Sequence, residues 1–353
     1  MNYEVNGNNI FIIILITFLC STFLMPIIKK VAIHVGAIDY PNERKVHKKP
    51  TPRLGGLAIF FAFLVGYMLF AESTSQMLSI LIGGFVIVIL GMIDDINPIK
   101  ARYKFIVQIV AAVIVVFYGN IVLNDISILG INLVFTEPFN YLISILFIVS
   151  ITNAINLIDG IDGLSSGISS IYFITISVIA ILINKATNLD VTLSLIMLGS
   201  TLGFLVYNFP PASIFMGDSG SLFLGFIISI ISLLGFKTAT VTSLIIPILI
   251  LAIPILDTLM AIVRRFLKGE SIGKPDKEHI HHQFLKMNFS PRKTVLVIYG
   301  INILFSLVSI LYAMGKTSIA MIIYGIIMLI FILLILNTDI IFKRKKGKNA
   351  KKH

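Results

Sequence analysis

Three stretches of the chain carry carboxylates, two of them together with glycines and one of these also with amides. They are the pair Asp94–Asp95, residues 153–164 (NAINLIDGIDGL) and residues 215–221 (FMGDSGS). Ionised carboxylates and amide oxygens bind hard cations, and glycines let a backbone approach a ligand closely. These stretches therefore point to a site for a cation or a sugar-phosphate.

The pair Asp94–Asp95 closes an apolar segment at its C-terminal end. The helix dipole favours cations at this end, so two adjacent carboxylates cost stability there unless a cation or a proton compensates them. The alternative is a plain solvated turn.

Four oxygen-bearing side chains lie within residues 153–164. Asn153 and Asn156 are three residues apart and share a helical face, whereas Asp159 and Asp162 follow on a glycine-containing loop. The alternating ligands and distal Glu of an EF-hand are absent from this stretch. The alternative is that these groups only satisfy two helix ends.

The third stretch places Asp218 at the start of a helix. One alternative is that Asp218 or Ser219 is simply the N-cap of this helix and binds no ligand. The same helix start is also an anion site, because its free amides point at a ligand.

A histidine cluster, His279, His281 and His282, lies in the largest polar connection. Zinc would require further ligands at set spacing, so we expect donation to a phosphate or a sugar hydroxyl, with a solvated basic loop as the alternative. Nearby, Asp257 is expected to form an ion pair with Arg264, two turns away, or to mark a helix break at Pro254.

The elements that must position these residues are apolar helices. The chain is 57% hydrophobic and only 13% charged, too few charges for a soluble surface. Backbone amides in lipid must be satisfied within their own segment, which predicts an all-α, polytopic membrane protein with about eleven transmembrane helices. The apolar segments are residues 10–28, 54–70, 78–93, 104–118, 141–157, 164–183, 191–209, 221–236, 241–263, 294–315 and 319–337.

The distribution of Lys and Arg predicts the orientation of these helices. Of 28 such residues, 25 lie in alternate connections or after residue 342. The positive-inside rule therefore puts the N-terminus outside and the C-terminus in the cytosol. We expect one transmembrane domain, residues 1–342, a basic cytosolic tail, residues 343–353, and no nucleic-acid partner. The site would form from the cytosolic loops 29–53, 94–103, 158–163, 210–220 and 264–293.

Together the motifs resemble the polyprenyl-phosphate N-acetylhexosamine-1-phosphate transferases. The order and spacing of the three acidic stretches and of His-Ile-His-His at 279–282 match that family, as do residues 39–47 and Pro-Arg-Leu-Gly-Gly at 52–56. His-Ile-His-His and Pro-Arg-Leu-Gly-Gly look like the bacterial branch that uses UDP-N-acetylglucosamine (UDP-GlcNAc). The resemblance covers about residues 10–340.

The resemblance implies a reaction at the cytosolic face of a bacterial plasma membrane. GlcNAc-1-phosphate would pass from UDP-GlcNAc to undecaprenyl phosphate in the lipid bilayer, with release of UMP. The product would be the first lipid-linked intermediate of teichoic acid or another surface polysaccharide. Mg²⁺ is the implied cofactor, with Mn²⁺ as an alternative, and a homodimer is an implied assembly.

The resemblance also implies roles for individual residues. It makes Asp218 the principal Mg²⁺ ligand with Asn156 as a second, and Lys104 a pyrophosphate-binding residue. Asp94 and Asp95 match a pair proposed as nucleophile, base or metal support, of which we favour the base. Asp162 and Phe215 match uracil-binding positions. The remaining substrate-site positions are Asn153, Asp159, Lys49, Arg53, His279, His281 and His282.

Three other functions are alternatives to this transfer reaction. The CDP-alcohol phosphotransferases require Asp-Gly-x-x-Ala-Arg, which the residues after Asp159–Gly160 lack. A transporter would place polar residues near mid-bilayer, where only Asp257 is eligible. A related transferase that uses another UDP-sugar, such as UDP-MurNAc-pentapeptide, stays open.

Overall fold

The structure is a computed structural model. It describes residues 4–5, 7–41, 49–128, 131–183, 189–235, 244–270 and 278–336. The predicted basic tail, residues 343–353, and residues 42–47 of the motif at 39–47 lie outside the described residues.

Helices dominate the described part of the chain. A π-helical turn, Ile114–Tyr118, extends the helix Ala101–Val113. The helices are α1 (Ile10–His34), α2 (Gly55–Phe70), α3 (Ser75–Ile96), α4 (Ala101–Val113), α5 (Phe139–Ile158), α6 (Leu164–Leu182), α7 (Leu189–Asn208), α8 (Asp218–Leu234), α9 (Ile245–Ile250), α10 (Ala252–Leu267), α11 (Ile280–Lys286), α12 (Pro291–Ala313) and α13 (Thr317–Leu336).

In the described part of the chain, three short antiparallel strand pairs accompany the helices. They join β1 (Glu4–Val5) to β2 (Asn8–Asn9), β3 (Ile38–Asp39) to β4 (Thr51–Pro52), and β5 (Asp125–Ile128) to β6 (Ile131–Val134). The β3–β4 hairpin holds the two ends of the first polar connection together.

The chain has the predicted all-α, polytopic membrane architecture. Within the described ranges, eight helices are long and apolar enough to cross a membrane, and α2 and α8 are shorter apolar helices. The ninth apolar segment is not one helix, because it breaks at Leu251 between α9 and α10. Pro254 has no N–H to donate to the Ile250 carbonyl, which explains the break.

Helix α8 lies at the centre of the bundle. Its residues from Ser219 to Leu233 are all buried, and it packs against α2, α3, α5, α6 and α7. By contrast, α13 is mostly exposed and apolar, as a lipid-facing helix would be. The first residue of α8, Asp218, is therefore positioned by five helices.

Two glycines allow the first turn of α8 to touch neighbouring helices at backbone distance. A Cβ at Gly56 in α2 would collide with the backbone of Gly220, and a Cβ at Gly91 in α3 would collide with the backbone of Ser219. The amides of Gly55 and Gly56 also donate to the carbonyl oxygens of Phe215 and Met216, at 3.0 and 2.9 Å. The Leu-Gly-Gly sequence of the first loop is thus a packing surface for the third acidic stretch.

This contact predicts that Gly91→Ala destabilises the protein. The added methyl group would push α3 away from α8, and overpacking of this kind costs about 1–3 kcal/mol. Gly300→Ala in α12 is the matched control, since a Cβ there meets no atom within 4 Å and alanine favours helices. Thermal unfolding in detergent, followed by circular dichroism, should show a lower Tm for Gly91→Ala only. Equal Tm values for the two variants would contradict the close packing.

Candidate active site

A cavity of about 910 Å³ opens beside the first turn of α8. Its walls come from four connections of the chain and from the ends of α5, α7, α8 and α12, together with α11. Among the lining residues are Asp39, Lys49, Arg53, Asn156, Asp159, Asp162, Asn208, Phe215, Asp218, His282 and Arg292. Loops that are far apart in sequence therefore share one polar chamber.

Asp95 caps the N-terminus of α8. Its carboxylate accepts hydrogen bonds from the amides of Asp218 and Ser219, at 2.9 and 3.1 Å, and from the Ser219 hydroxyl at 2.8 Å. Gly217, with φ of +73°, lets the backbone turn there, and a Cβ at Gly217 would collide with this carboxylate. A carboxylate at a helix N-terminus is stabilised by the free amides and by the dipole. Asp95 therefore fixes the position of Asp218.

Asp94 and Asp218 share one counter-ion. The Lys104 ammonium lies 2.7 Å from Asp94 Oδ2 and 2.7 Å from Asp218 Oδ2. The other oxygen of Asp94 accepts from the amide of Ile99 at 2.7 Å. The sequence calls for a cation beside the acids at the C-terminal end of α3. In the structure this cation is Lys104, which belongs to the next helix, α4.

The two asparagines of α5 have different partners. Asn156 donates to Asp218 Oδ1 at 3.2 Å and to the Ser221 hydroxyl at 2.8 Å, so it belongs to the cavity. Asn153 pairs with the side-chain amide of Gln108 in α4, with bonds of 2.5 and 3.4 Å, and donates to the Val149 carbonyl. Asn153 is not among the cavity-lining residues.

Asp159 and Asp162 occupy the turn between α5 and α6. Burial raises the pKa of Asp159 to about 8, and the negative charge of Asp218 adds to this effect. A bound cation would stabilise the ionised form. Asp162 accepts from the amide of Ala212 at 2.8 Å and so ties this turn to the connection between α7 and α8.

The first polar connection contributes basic groups to the cavity. Arg53 lies 3.4 Å from Asp95 Oδ1 and 3.8 Å from Asp39 Oδ1, and Lys49 is an exposed wall residue. The Pro52 carbonyl accepts from the amide of Phe215 at 2.8 Å, which places the Phe215 side chain in the same wall.

The three histidines have different surroundings. His282 lines the cavity, and the His281 ring is buried where a Cβ of Gly160 would lie. Neither ring nitrogen of His281 has a hydrogen-bond partner within the described ranges. Burial, together with the neighbouring histidines, lowers the pKa of both His281 and His282, which favours neutral rings.

His279 lies outside the cavity wall and contacts Asp257. This contact corrects the expected pairing of Asp257 with Arg264. Both oxygens of Asp257 instead engage the start of α11, namely the His279 ring and the Ile280 amide. Spacing within one helix could not predict this partner, because α11 lies more than twenty residues further along the chain.

Sequence reasoning also missed three cavity-lining residues. Asn208 ends α7, accepts from the Gly163 amide and donates to the Ile214 carbonyl, so it braces two loops. Its place before Pro210–Pro211 was an available signal. Arg292 donates to the Pro210 carbonyl at 2.5 Å and has no distinctive local pattern. Asp39 lies beside Arg53 and begins the motif of residues 39–47, which was an available signal.

The oxygen ligands of the cavity fit a hard cation. Within the described ranges, His, Cys, Asp and Glu form no group of three or more that could hold a metal. Mg²⁺ does not need such a cage, because it is usually bound by one or two carboxylates together with substrate phosphates and water. Asp218, with Asn156 beside it, supplies such a partial set.

Comparison with known proteins identifies a family. Residues 77–236 match the family model described as glycosyl transferase family 4. The chain is 45% identical to a Bacillus subtilis (strain 168) protein named probable undecaprenyl-phosphate N-acetylglucosaminyl 1-phosphate transferase, over 85% of this chain and 83% of that protein.

Two further relatives have similar names. A decaprenyl-phosphate N-acetylglucosaminephosphotransferase of Mycobacterium tuberculosis (strain ATCC 25618 / H37Rv) is 33% identical over 77% of this chain and 74% of its own length. An undecaprenyl-phosphate alpha-N-acetylglucosaminyl 1-phosphate transferase of Salmonella typhi is 31% identical over 80% of this chain and 78% of its own length.

The geometry predicts different effects for the two adjacent acids. Asp95→Asn would turn an amide N–H₂ or a weaker acceptor toward the donors of α8, and each hydrogen bond to a charged group contributes about 1.5–3 kcal/mol. Asp94→Asn keeps an acceptor for Ile99 and loses only the charge beside Lys104. Thermal unfolding in detergent should show the larger fall in Tm for Asp95→Asn. A larger fall for Asp94→Asn would contradict the capping role.

Proposed function

The chain belongs to glycosyl transferase family 4, and on that premise we propose that it transfers GlcNAc-1-phosphate from UDP-GlcNAc to undecaprenyl phosphate, with release of UMP. It is a multi-pass membrane phospho-sugar transferase whose relatives act on prenyl phosphates. The observation that carries the proposal is the cluster of Asp94, Lys104 and Asp218, in which Asp218 lines a cavity large enough for a nucleotide-sugar.

The donor fits the polar cavity. Phe215 offers a ring for stacking on uracil, and the Asp162 carboxylate in the same wall can accept from the uracil N–H. Lys49, Arg53 and Arg292 supply positive charge for the diphosphate. His282, held neutral, can bond a sugar hydroxyl. The N-acetylglucosamine donor is taken from the names of the relatives.

The acceptor phosphate needs orientation more than activation. A phosphate monoester has its second pKa near 6 and is largely dianionic at neutral pH, so it can attack the donor's sugar-linked phosphorus directly. Asp95 is committed to the helix cap, which leaves Asp94 beside Lys104 as the carboxylate that orients the acceptor. Lys104 can shift from its carboxylates to the phosphates and offset their charge.

Asp218 and Asn156 would hold Mg²⁺, with Mn²⁺ as an alternative. The metal ion, when bound, offsets the charge of the diphosphate and of the departing UMP. The chain's own contribution is to hold Asp218 rigidly, through the cap from Asp95, where the diphosphate enters the cavity.

The reaction belongs at the cytosolic face of a bacterial plasma membrane. The excess of Lys and Arg in alternate connections supports this orientation, because it puts the cavity loops on the positive side. The relatives named for undecaprenyl phosphate support that acceptor and a role in the first lipid-linked step of teichoic acid or another surface polysaccharide.

Asp218→Asn should abolish transfer and leave the protein folded. The variant removes the charge that would hold the metal ion, and we expect a loss of about 10²–10³-fold or more in kcat. The measurement is lipid-linked GlcNAc formed by the purified protein at ordinary Mg²⁺. Asp125→Asn makes the same chemical change in the β5–β6 strand pair, outside the cavity. It is the control and should keep wild-type turnover. Wild-type turnover by Asp218→Asn would remove the metal assignment.

UMP release should depend strictly on added undecaprenyl phosphate. Direct attack by the acceptor predicts no UMP burst and no phosphorylated aspartate when the protein is mixed with UDP-GlcNAc and Mg²⁺ alone. Mass spectrometry of the protein and chromatography of the nucleotides check both points. A phospho-aspartyl species trapped under these conditions would overturn direct transfer, and a panel of labelled UDP-sugars tests the donor.

A further inference from the structure

Asp257 is a buried acid that lies outside the cavity. It belongs to α10, and only 1% of its surface is exposed. Its Oδ2 lies 2.9 Å from His279 Nδ1, and its Oδ1 accepts from the Ile280 amide at 2.9 Å. Both oxygens thus bind the start of α11, a helix that lies more than twenty residues further along the chain.

Burial makes this contact a strong constraint. A carboxylate removed from water is very costly unless hydrogen bonds and a partner compensate it, and breaking such a pair is correspondingly unfavourable. The Asp257 carboxylate also dictates that His279 carries a proton on Nδ1, because an ionised carboxylate only accepts. The contact with Asp257 therefore fixes the position of the first turn of α11 and also which nitrogen of the His279 ring carries the proton.

The first turn of α11 packs directly against the cavity turn. Ile280 is 2% exposed and belongs to an apolar cluster with Ile161, which lies within the Asp159–Asp162 turn, and with Ile158 and Leu164, which lie on either side of it. The next residue, His281, presses its ring against Gly160, and the one after it, His282, enters the cavity wall. A shift of α11 would displace both His282 and the turn.

We infer that Asp257 is a positioning residue of the transfer reaction, acting through His279 and Ile280 to hold α11 against the Asp159–Asp162 turn. This inference rests on the proposed function. It assigns His279 a role different from the substrate-binding one, because the Nδ1 side of its ring faces Asp257. His282 is the residue through which the effect reaches the substrate.

The first test is Asp257→Asn, which keeps size and shape. The new amide N–H₂ would donate to the His279 ring, which would then carry its proton on the other nitrogen. Loss of the carboxylate charge would also weaken the contact between Asp257 and the start of α11. Since a displacement of about 1 Å can cost up to about 100-fold, we expect kcat/KM for UDP-GlcNAc to fall about 10- to 100-fold. Asp125→Asn, the same chemical change on an exposed strand, should match wild type.

A double-mutant cycle separates positioning from general destabilisation. In a His282→Ala background, Asp257→Asn should lower kcat/KM by less than about threefold, because the residue that it positions has already been removed. An undiminished effect of Asp257→Asn in that background would contradict the inference, because it would show a route that bypasses His282.

A second pair of variants keeps the inference testable if Asp257→Asn folds poorly. His279→Asn retains an N–H donor near the position of Nδ1, whereas His279→Ala does not. We expect His279→Asn to recover at least about tenfold of the kcat/KM that His279→Ala loses. Equal losses in both variants would mean that the imidazole itself contacts substrate, and the inference would be wrong.

The outcomes also separate this inference from the proposed function. If the wild-type protein makes no lipid-linked GlcNAc with any UDP-sugar, the proposed function fails. If the wild type is active and Asp257→Asn equals it in kcat and KM, only the positioning role fails.

Discussion

The site depends on one contact, the burial of the first turn of α8 between two glycines under an aspartate cap. Gly56 and Gly91 bring α2 and α3 to backbone distance from residues 219–220, and Asp95 binds the amides exposed there. Helix ends are costly to bury unless their amides find partners. Because this carboxylate meets that requirement, Asp218 can emerge into a cavity from the most enclosed helix of the bundle.

The same contact explains how distant stretches of sequence converge. A helix in a membrane satisfies its own backbone hydrogen bonds, and polar loops are confined to the ends of such helices. Functional groups therefore gather where several helices end. Here Lys104 neutralises two acids from different helices, and Arg53 lies beside Asp95 and Asp39. Each charge is stabilised by a partner on another element. The groups proposed to handle phosphate therefore also hold the helices in register.

Sequence patterns predicted the helices and the grouping of the acidic motifs. The apolar segments, the position of Asp218 at a helix start and the need for a cation beside Asp94–Asp95 all follow from local chemistry. The pattern could not distinguish Asp95 from Asp94, because the amides that Asp95 caps lie 123 and 124 residues away. It placed Asn153 on one helical face with Asn156, although Asn153 bonds to Gln108, and one of its two alternatives for Asp257 was a partner on the same helix. Such errors arise wherever the partner of a side chain is determined by tertiary contacts and cannot be read from spacing in the sequence.

The N-terminal end of α8 is the proposed meeting point of nucleotide, metal ion and acceptor. The most direct measurement is a structure of the purified protein in lipid nanodiscs with UDP-GlcNAc and Mn²⁺. We expect density for the metal ion in direct contact with Asp218, the diphosphate beside Lys104, and uracil against Phe215. A nucleotide bound away from this cavity, or a metal ion held by other residues, would contradict the account.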